Sequence, residues 1–173
     1  KMAENFSLPI ISFIDTPGAY PGIGSEERGM SEAIASNLSL MASVKVPIIA
    51  IITGEGGSGG ALGIGVGDHV FMLENSIYSV ASPEACASIV WRDGSKAQQA
   101  AEAMKVDAKS LLDYGLVDDI VSEPLGGAHR DAVKAASLIS TEVDKKLKEL
   151  KEYSLDDLIE KRYEKIMSYG SIS

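Results

Sequence analysis

A single cysteine, Cys86, is all the thiol chemistry this 173-residue chain carries. It excludes an internal disulfide and fits a reducing compartment, so the expected location is cytoplasmic. Histidine is almost as scarce, with only His69 and His129. No Ser-His-Asp or Cys-His set and no metal-ligand spacing is present. Basic residues are outnumbered, 16 Lys and Arg against 25 Asp and Glu, for a net charge of −9. That balance argues against a nucleic-acid partner, which would need a face dominated by cations. No apolar stretch reaches the ~18 residues of a membrane span, and no secretory signal pattern opens the chain. No internal repeat and no linker rich in Pro, Gly or Ser divides it.

The length suits one domain, which should bury roughly 70% of its unfolded surface. Hydrophobic residues at 45% and charged residues at 24% are those of an ordinary globular protein. The opening "KMAENF" reads as the tail of a helix, which gives the expectation of a longer protein upstream.

Apolar runs place the strands. "LPIISFI" (8–14) and "VPIIAIIT" (46–53) read as buried strands, "HVFML" (69–73) and "IYSV" (77–80) as short ones around the turn Glu74-Asn75-Ser76, and "GLVDDIV" (115–121) as a last one. Ser25 is expected to cap a helix with Glu26 and Glu27 in its first turn and Ala33, Ile34, Leu38 and Met41 on its apolar face. Ser82, followed by Pro83 and Glu84, is expected to cap another. A helical stretch covers about 95–104. Two helices close the chain, one with the stripe Val133, Ala136, Ile139, Val143, Leu147 and Leu150, the other with Leu155, Leu158, Ile159, Ile166 and Met167. Alternating strands and helices make the chain α/β.

Between the second strand and the third lies "GEGGSGGALGIG" (54–65), with seven glycines in twelve residues. Glycine loses entropy wherever it is fixed, so the cluster implies positive φ angles or very close backbone approach. Three readings compete. Gly54, Gly56 and Gly59 satisfy G-x-G-x-x-G, with Glu74 twenty positions on, as in a dinucleotide site. Against this, Gly63, Gly65 and Gly67 crowd what would be the crossover helix, and that helix is short. The upstream "DTPG" (15–18) resembles a GTPase turn, but neither a G-x-x-x-x-G-K-[ST] loop nor an Asn-Lys-x-Asp is present, "MKVD" (104–107) lacking the asparagine. In the third reading the two loops act together. Each follows a buried strand and offers main-chain N–H groups near a helix start, which is how an oxyanion hole is built. Tight helix-on-strand packing would also use glycine in this way.

Taken in order, "FIDTPGAYPG", "SEAIAxNL", "KVPI", "GEGGSGGALxIGVGD", "YSVxSPExCASIxW", "EPLGGAHR" and "RYxKIMSYG" resemble the carboxyltransferase alpha-subunit family of bacterial-type acetyl-CoA carboxylase, from about residue 1 to 170. The family subunit is longer at its N-terminus, so the resemblance is to a C-terminal catalytic portion. It implies a crotonase-like fold of ββα units with C-terminal helices, core 1–125 and helical extension 126–173 of the same domain. It implies a carboxyltransferase that moves the carboxyl group from carboxybiotin to acetyl-CoA, giving malonyl-CoA for fatty acid biosynthesis. The implied partners are the beta subunit, with its own oxyanion hole and a zinc ribbon, the biotin carboxyl carrier protein and biotin carboxylase, the transferase being two alpha and two beta subunits. Biotin rides on the carrier, ATP serves the carboxylase alone, and no metal is implied in this chain.

By the same resemblance Gly59 and Gly60 supply the backbone amides of the hole that receives the biotin ureido oxygen. Gly56 and Gly57 shape the turn, and Asp15, Thr16, Pro17, Gly18, Ala19 and Tyr20 form the facing loop, Tyr20 lining the site. The dinucleotide module remains the alternative. Glu84 reads as a first-turn charge, His129 as a structural hydrogen bonder, and Cys86 as a small buried residue rather than a nucleophile.

Overall fold

The computed structural model describes residues 1–170. In chain order the elements are α1 (Met2–Asn5), β1 (Ile10–Thr16), α2 (Ile23–Glu27), α3 (Met30–Ser43), β2 (Ile48–Gly57), α4 (Ser58–Gly65), β3 (His69–Leu73), β4 (Ile77–Ser79), α5 (Pro83–Trp91), α6 (Ala97–Met104), α7 (Ala108–Asp113), β5 (Asp119–Val121), α8 (Ala132–Leu150) and α9 (Leu155–Ser168). The last three residues of the expected extension 126–173 lie outside the described residues.

The strands form one parallel sheet, ordered β1-β2-β3-β5. β2 outruns its neighbours. It pairs with β3 over Ile49–Ile52 and then, further along the same strand, with β4 over Glu55–Gly57. The β3–β4–α5 run is a ββα unit; elsewhere strand and helix alternate.

Period-2 alternation along the strands sorts the core into two faces. Ile14, Ala50, Ile52, Val70 and Met72 pack with Ala61 of α4 and with Ala108 and Leu111 of α7. On the opposite face Ile49, Ile51, Phe71, Leu73 and Val121 pack with Leu150 of α8 and Leu158 of α9. The long C-terminal helices thus share a hydrophobic cluster with the sheet.

Several boundaries differ from the sequence reading, each for a local reason. Ser25 caps nothing; it sits inside the one-turn α2, whose N-cap is Gly22. Gly29, at φ 75°, breaks the chain there, and α3 with its Met41 face starts only after it. Ser82 does cap α5, its Oγ accepting from Ala85 N at 3.2 Å, with Pro83 at the first position. The last strand shrinks to Asp119–Val121 because Gly115, at φ 69°, turns the chain before it. On α8 the inward row is Ala135, Ile139, Val143, Leu147 and Leu150, whereas Val133 is 83% exposed and Ala136 also faces out.

α9 departs furthest. Leu155, Ile166 and Met167 of its expected stripe are exposed, and the inward row runs Leu158, Ile159, Arg162, Lys165. Arg162 is 1% exposed. Its five guanidinium N–H groups donate to Asp68 Oδ1 at 2.8 Å, Asp68 Oδ2 at 2.9 Å, and the carbonyls of Met41 (2.9 Å), Val44 (2.8 Å) and Val46 (2.9 Å). Those carbonyls end α3 and lead into β2. Asp68 also accepts from Ile48 N at 2.7 Å. One turn on, Lys165 pairs with Asp118, which accepts from Val70 N at 2.6 Å.

Candidate active site

The glycine loop is not a loop over most of its length. Gly54, Gly56 and Gly57 lie within β2, and Gly57 is the N-cap of α4, at φ −106° and ψ 129°. Of the dinucleotide motif, Gly54 and Gly56 therefore fall on a strand and only Gly59 on the helix, with no separate glycine turn between them to approach a pyrophosphate.

What approaches these glycines is the protein itself. A Cβ on Gly54 would overlap the Asp15 carboxylate. On Gly56 it would come within 2.7 Å of the Tyr78 ring, and on Gly57 it would overlap the Pro17 carbonyl. On Gly60 it would stand 2.8 Å from both Ala19 N and the Gly18 carbonyl carbon. Gly59 differs, since a Cβ there meets only Ile34 at 3.6 Å, an ordinary contact. A Cβ on Gly63 would likewise meet Ile34 at 3.5 Å. The glycine cluster thus lets the end of β2 and the start of α4 close against the 15–20 loop.

The two loops are further stitched by polar contacts. Glu55 N donates to Asp15 Oδ1 at 3.0 Å, and Thr53 Oγ1 donates to the Ile14 carbonyl at 3.3 Å. Gly18 N donates to Thr16 Oγ1 at 3.2 Å, which shapes the loop beyond β1. Gly18 itself has φ 135°, and its Cβ would sit 3.3 Å from that of Ser58. Tyr20 is 76% exposed, and its ring lies where a Cβ on Gly22 would be.

Facing this loop is the first turn of α4, which no side chain caps. The N–H groups of Ser58, Gly59 and Gly60 have no intrahelical acceptor, as in any helix start, and the helix dipole adds partial positive charge there. Of the residues singled out from sequence, Gly56, Gly57, Gly60 and Asp15 to Ala19 meet at this junction. Gly59 adjoins it with its Cα side turned to Ile34 of α3, and Tyr20 stands at its exposed edge.

Glu84 is an exposed first-turn residue of α5, and His129 is exposed in the 3-10 turn Ala128–Arg130. The "EPLGGAH" turn is held by Glu123 rather than by His129. Ala128 N donates to Glu123 Oε2 at 2.6 Å and Asn75 N to Oε1 at 3.0 Å, while Gly126 and Gly127 adopt φ 90° and 99°. Tyr78, not singled out from the sequence, and Ile34, expected only as part of a helix's apolar face, back the glycine strand and helix. Burial raises the Tyr78 phenol above its ordinary pKa.

His69 is remote from the junction. It heads β3, at the end of the strand opposite the glycines, with Nε2 3.1 Å from Asp119 Oδ2, Nδ1 3.8 Å from Asp118 Oδ2 and its ring edge-on to Phe71. Burial lowers its pKa; Asp118 opposes that shift, Lys146 and Lys165 add to it, and Asp119 weakly opposes it. Among the described residues no group of three or more His, Cys, Asp or Glu side chains could hold a metal ion, and no helix is long and apolar enough to cross a membrane.

A parallel sheet whose glycine-rich strand closes on a facing loop at an uncapped helix start is the crotonase-like α/β class. Solved structures of the same shape include transcarboxylase 12S with methylmalonyl-coenzyme A and methylmalonic acid bound (TM-score 0.63, 21% identity, 80% of this chain and 29% of that one). A Pseudomonas malonate decarboxylase hetero-dimer gives a TM-score of 0.62 at 18% identity, over 80% of this chain and 57% of that one. The family model described as acetyl co-enzyme A carboxylase carboxyltransferase-like matches residues 1–170, and the chain belongs to that family. Acetyl-coenzyme A carboxylase carboxyl transferase subunit alpha from Pseudoalteromonas atlantica is 59% identical, over 98% of this chain and 54% of that protein. The Vibrio atlanticus subunit alpha is 58% identical, over 98% and 53%. The chain thus spans about half the length of the curated relatives it matches.

Proposed function

We propose that this chain is the catalytic portion of an acetyl-CoA carboxylase carboxyltransferase alpha subunit and provides one of two oxyanion holes for making malonyl-CoA. The observation that carries this is the uncapped α4 start, held by glycine contacts against the 15–20 loop, in a chain matched from residue 1 to 170 by the family model.

Carboxybiotin, brought by a separate carrier protein, would supply both the carboxyl group and the base for the methyl proton of acetyl-CoA. The residues here fit such a group. Gly59 and Gly60 present main-chain N–H groups with no side chain between them and an incoming ureido oxygen. Fixed donors of this kind stabilise negative charge that develops during reaction without reorganising. The α4 dipole adds to them, Gly56 and Gly57 set the donors' direction, and Asp15 to Tyr20 form the wall that keeps the ring in place. No side chain of this chain is assigned a proton, which agrees with His69 lying at the far end of its strand.

The thioester enolate belongs to a second hole on the beta subunit, in an assembly of two alpha and two beta subunits, with the carrier and biotin carboxylase as further partners in the cytoplasm. Residues 126–170 extend the same domain.

The test is co-assembly of the full-length subunit with the beta subunit, supplied with carboxylated carrier and acetyl-CoA. Malonyl-CoA is expected from the pair and none from this chain alone. No product from the pair, or robust product from this chain free of partner, would refute the division of labour. Titration with NADPH checks the dinucleotide alternative, and no binding is expected because Gly54 and Gly56 are filled from within.

A further inference from the structure

The register between β1 and β2 slips at one place. Ile14 pairs with Ile52 and Thr16 with Gly56, so Asp15 alone stands opposite Thr53, Gly54 and Glu55. A bulge of this kind takes main-chain groups out of the ladder and re-aims the strand beyond it. Here the Glu55 N–H is taken by a side chain, Asp15 Oδ1, at 3.0 Å. Gly54 is what allows this, because any Cβ at that position would overlap the same carboxylate. Immediately beyond the bulge come Gly56, Gly57 and the start of α4.

We propose that Asp15 is a positioning residue that sets the direction of the glycine strand end, and through it the α4 amides, by holding the Glu55 N–H across the bulge. For its catalytic consequence this rests on the carboxyltransferase reading, and within the 15–20 wall it separates Asp15 from residues that face substrate. Two features make Asp15 suited to the task. It follows the last regularly paired residue of β1, so its main chain is fixed by the sheet. It also precedes Thr16 and Gly18, whose hydrogen bond fixes the facing loop, so one residue references both halves of the site to one strand. A carboxylate accepting a main-chain N–H makes a stronger bond than a neutral acceptor.

The proposal is tested in the full-length subunit assembled with its beta partner, using Asp15→Ala, Asp15→Asn and Gly54→Ala. Amide hydrogen exchange is followed at Glu55 to Gly57, and kcat and KM for acetyl-CoA are measured. Asp15→Ala is expected to speed Glu55 exchange by about fivefold or more and to lower kcat by about 10- to 100-fold, with KM held within about threefold. Gly54→Ala should reproduce both effects by displacing the carboxylate. Asp15→Asn should recover most of the loss, since its amide oxygen still accepts. Unchanged Glu55 exchange in Asp15→Ala would overturn the proposal. So would an Asp15→Asn enzyme as slow as Asp15→Ala with Glu55 still protected, because the charge would then be acting on substrate. If the wild-type assembly forms no malonyl-CoA, the carboxyltransferase reading fails, while the exchange comparison still decides whether Asp15 holds the strand.

Discussion

Replacing Arg162 with methionine should be among the most damaging single changes available to this fold. The guanidinium is 1% exposed and all five of its N–H groups are bonded, two to Asp68 and three to carbonyls between α3 and β2. Methionine fills much of the volume but leaves the Asp68 carboxylate, whose side chain is 4% exposed, with Ile48 N as its remaining donor. Removing one partner of a buried ion pair costs about 3–5 kcal/mol. Against a total stability of about 5–15 kcal/mol for a domain, that is a large fraction. With a urea m-value of about 2 kcal/mol per M, the unfolding midpoint should fall by roughly 2 M. Arg162→Lys should recover only part, since an ammonium has three donors and no planar fork. Adding Asp68→Asn to Arg162→Met should cost less than the sum of the two single changes, because the stranded charge is then gone. The measurement is equilibrium urea unfolding, with hydrogen exchange reporting whether α9 stays docked. A loss below about 1 kcal/mol for Arg162→Met, with α9 protected, would refute the anchoring role.

Gly60→Val should lower carboxyl transfer by about 100- to 1,000-fold, here by pushing Gly18 and Ala19 away from α4, which a crystal structure of the variant would show. Gly59→Ala, meeting only Ile34 at 3.6 Å, should leave thermal stability level or raise it by up to about 1 kcal/mol. For His69 the folded pKa lies below its ordinary value of 6.5, so below about pH 6.5 the unfolded chain takes the proton first. Its contribution is therefore fully present above that pH and is lost as pH falls toward the folded pKa; urea midpoints from pH 8 to 5 should fall, and His69→Gln should flatten the change. Burial sets this behaviour first; of the charged groups facing His69, Lys146 and Lys165 reinforce it, and Asp118 and Asp119 oppose it. Cys86→Ala should retain substantial transfer in the assembled enzyme, checked by the same malonyl-CoA assay.

The strands were legible because buried apolar runs such as 46–53 leave little else to be, and the Ser82-Pro83-Glu84 start of α5 is local chemistry that a sequence displays. Ser25 misled because a glycine four residues later outweighed it, and only the left-handed turn at Gly29 shows that. The glycine cluster announced close approach, and the resemblance pointed to the 15–20 loop as its partner, but neither showed which atoms meet. That Asp15 meets Gly54, Pro17 meets Gly57 and Tyr78 meets Gly56 is decided by register. Arg162 could not be found by periodicity at all. Hydrophobic patterning assigns apolar residues inward, whereas α9 turns a cation inward because three carbonyls at and just beyond the end of α3, with Asp68, await it.

A site made of main-chain amides also changes what a mutational survey would see. Replacing side chains with alanine leaves the N–H donors in the chain, so at the glycines of 54–60 a scan would add methyl groups rather than delete a donor. The positions it flagged would be the most crowded ones, Gly54, Gly56, Gly57 and Gly60, ranked by crowding and not by closeness to the reacting atoms. Arg162 would stand out just as strongly, for reasons of anchoring alone. Exchanging the amide itself for an ester, residue by residue along the start of α4, is the substitution that addresses the donors directly.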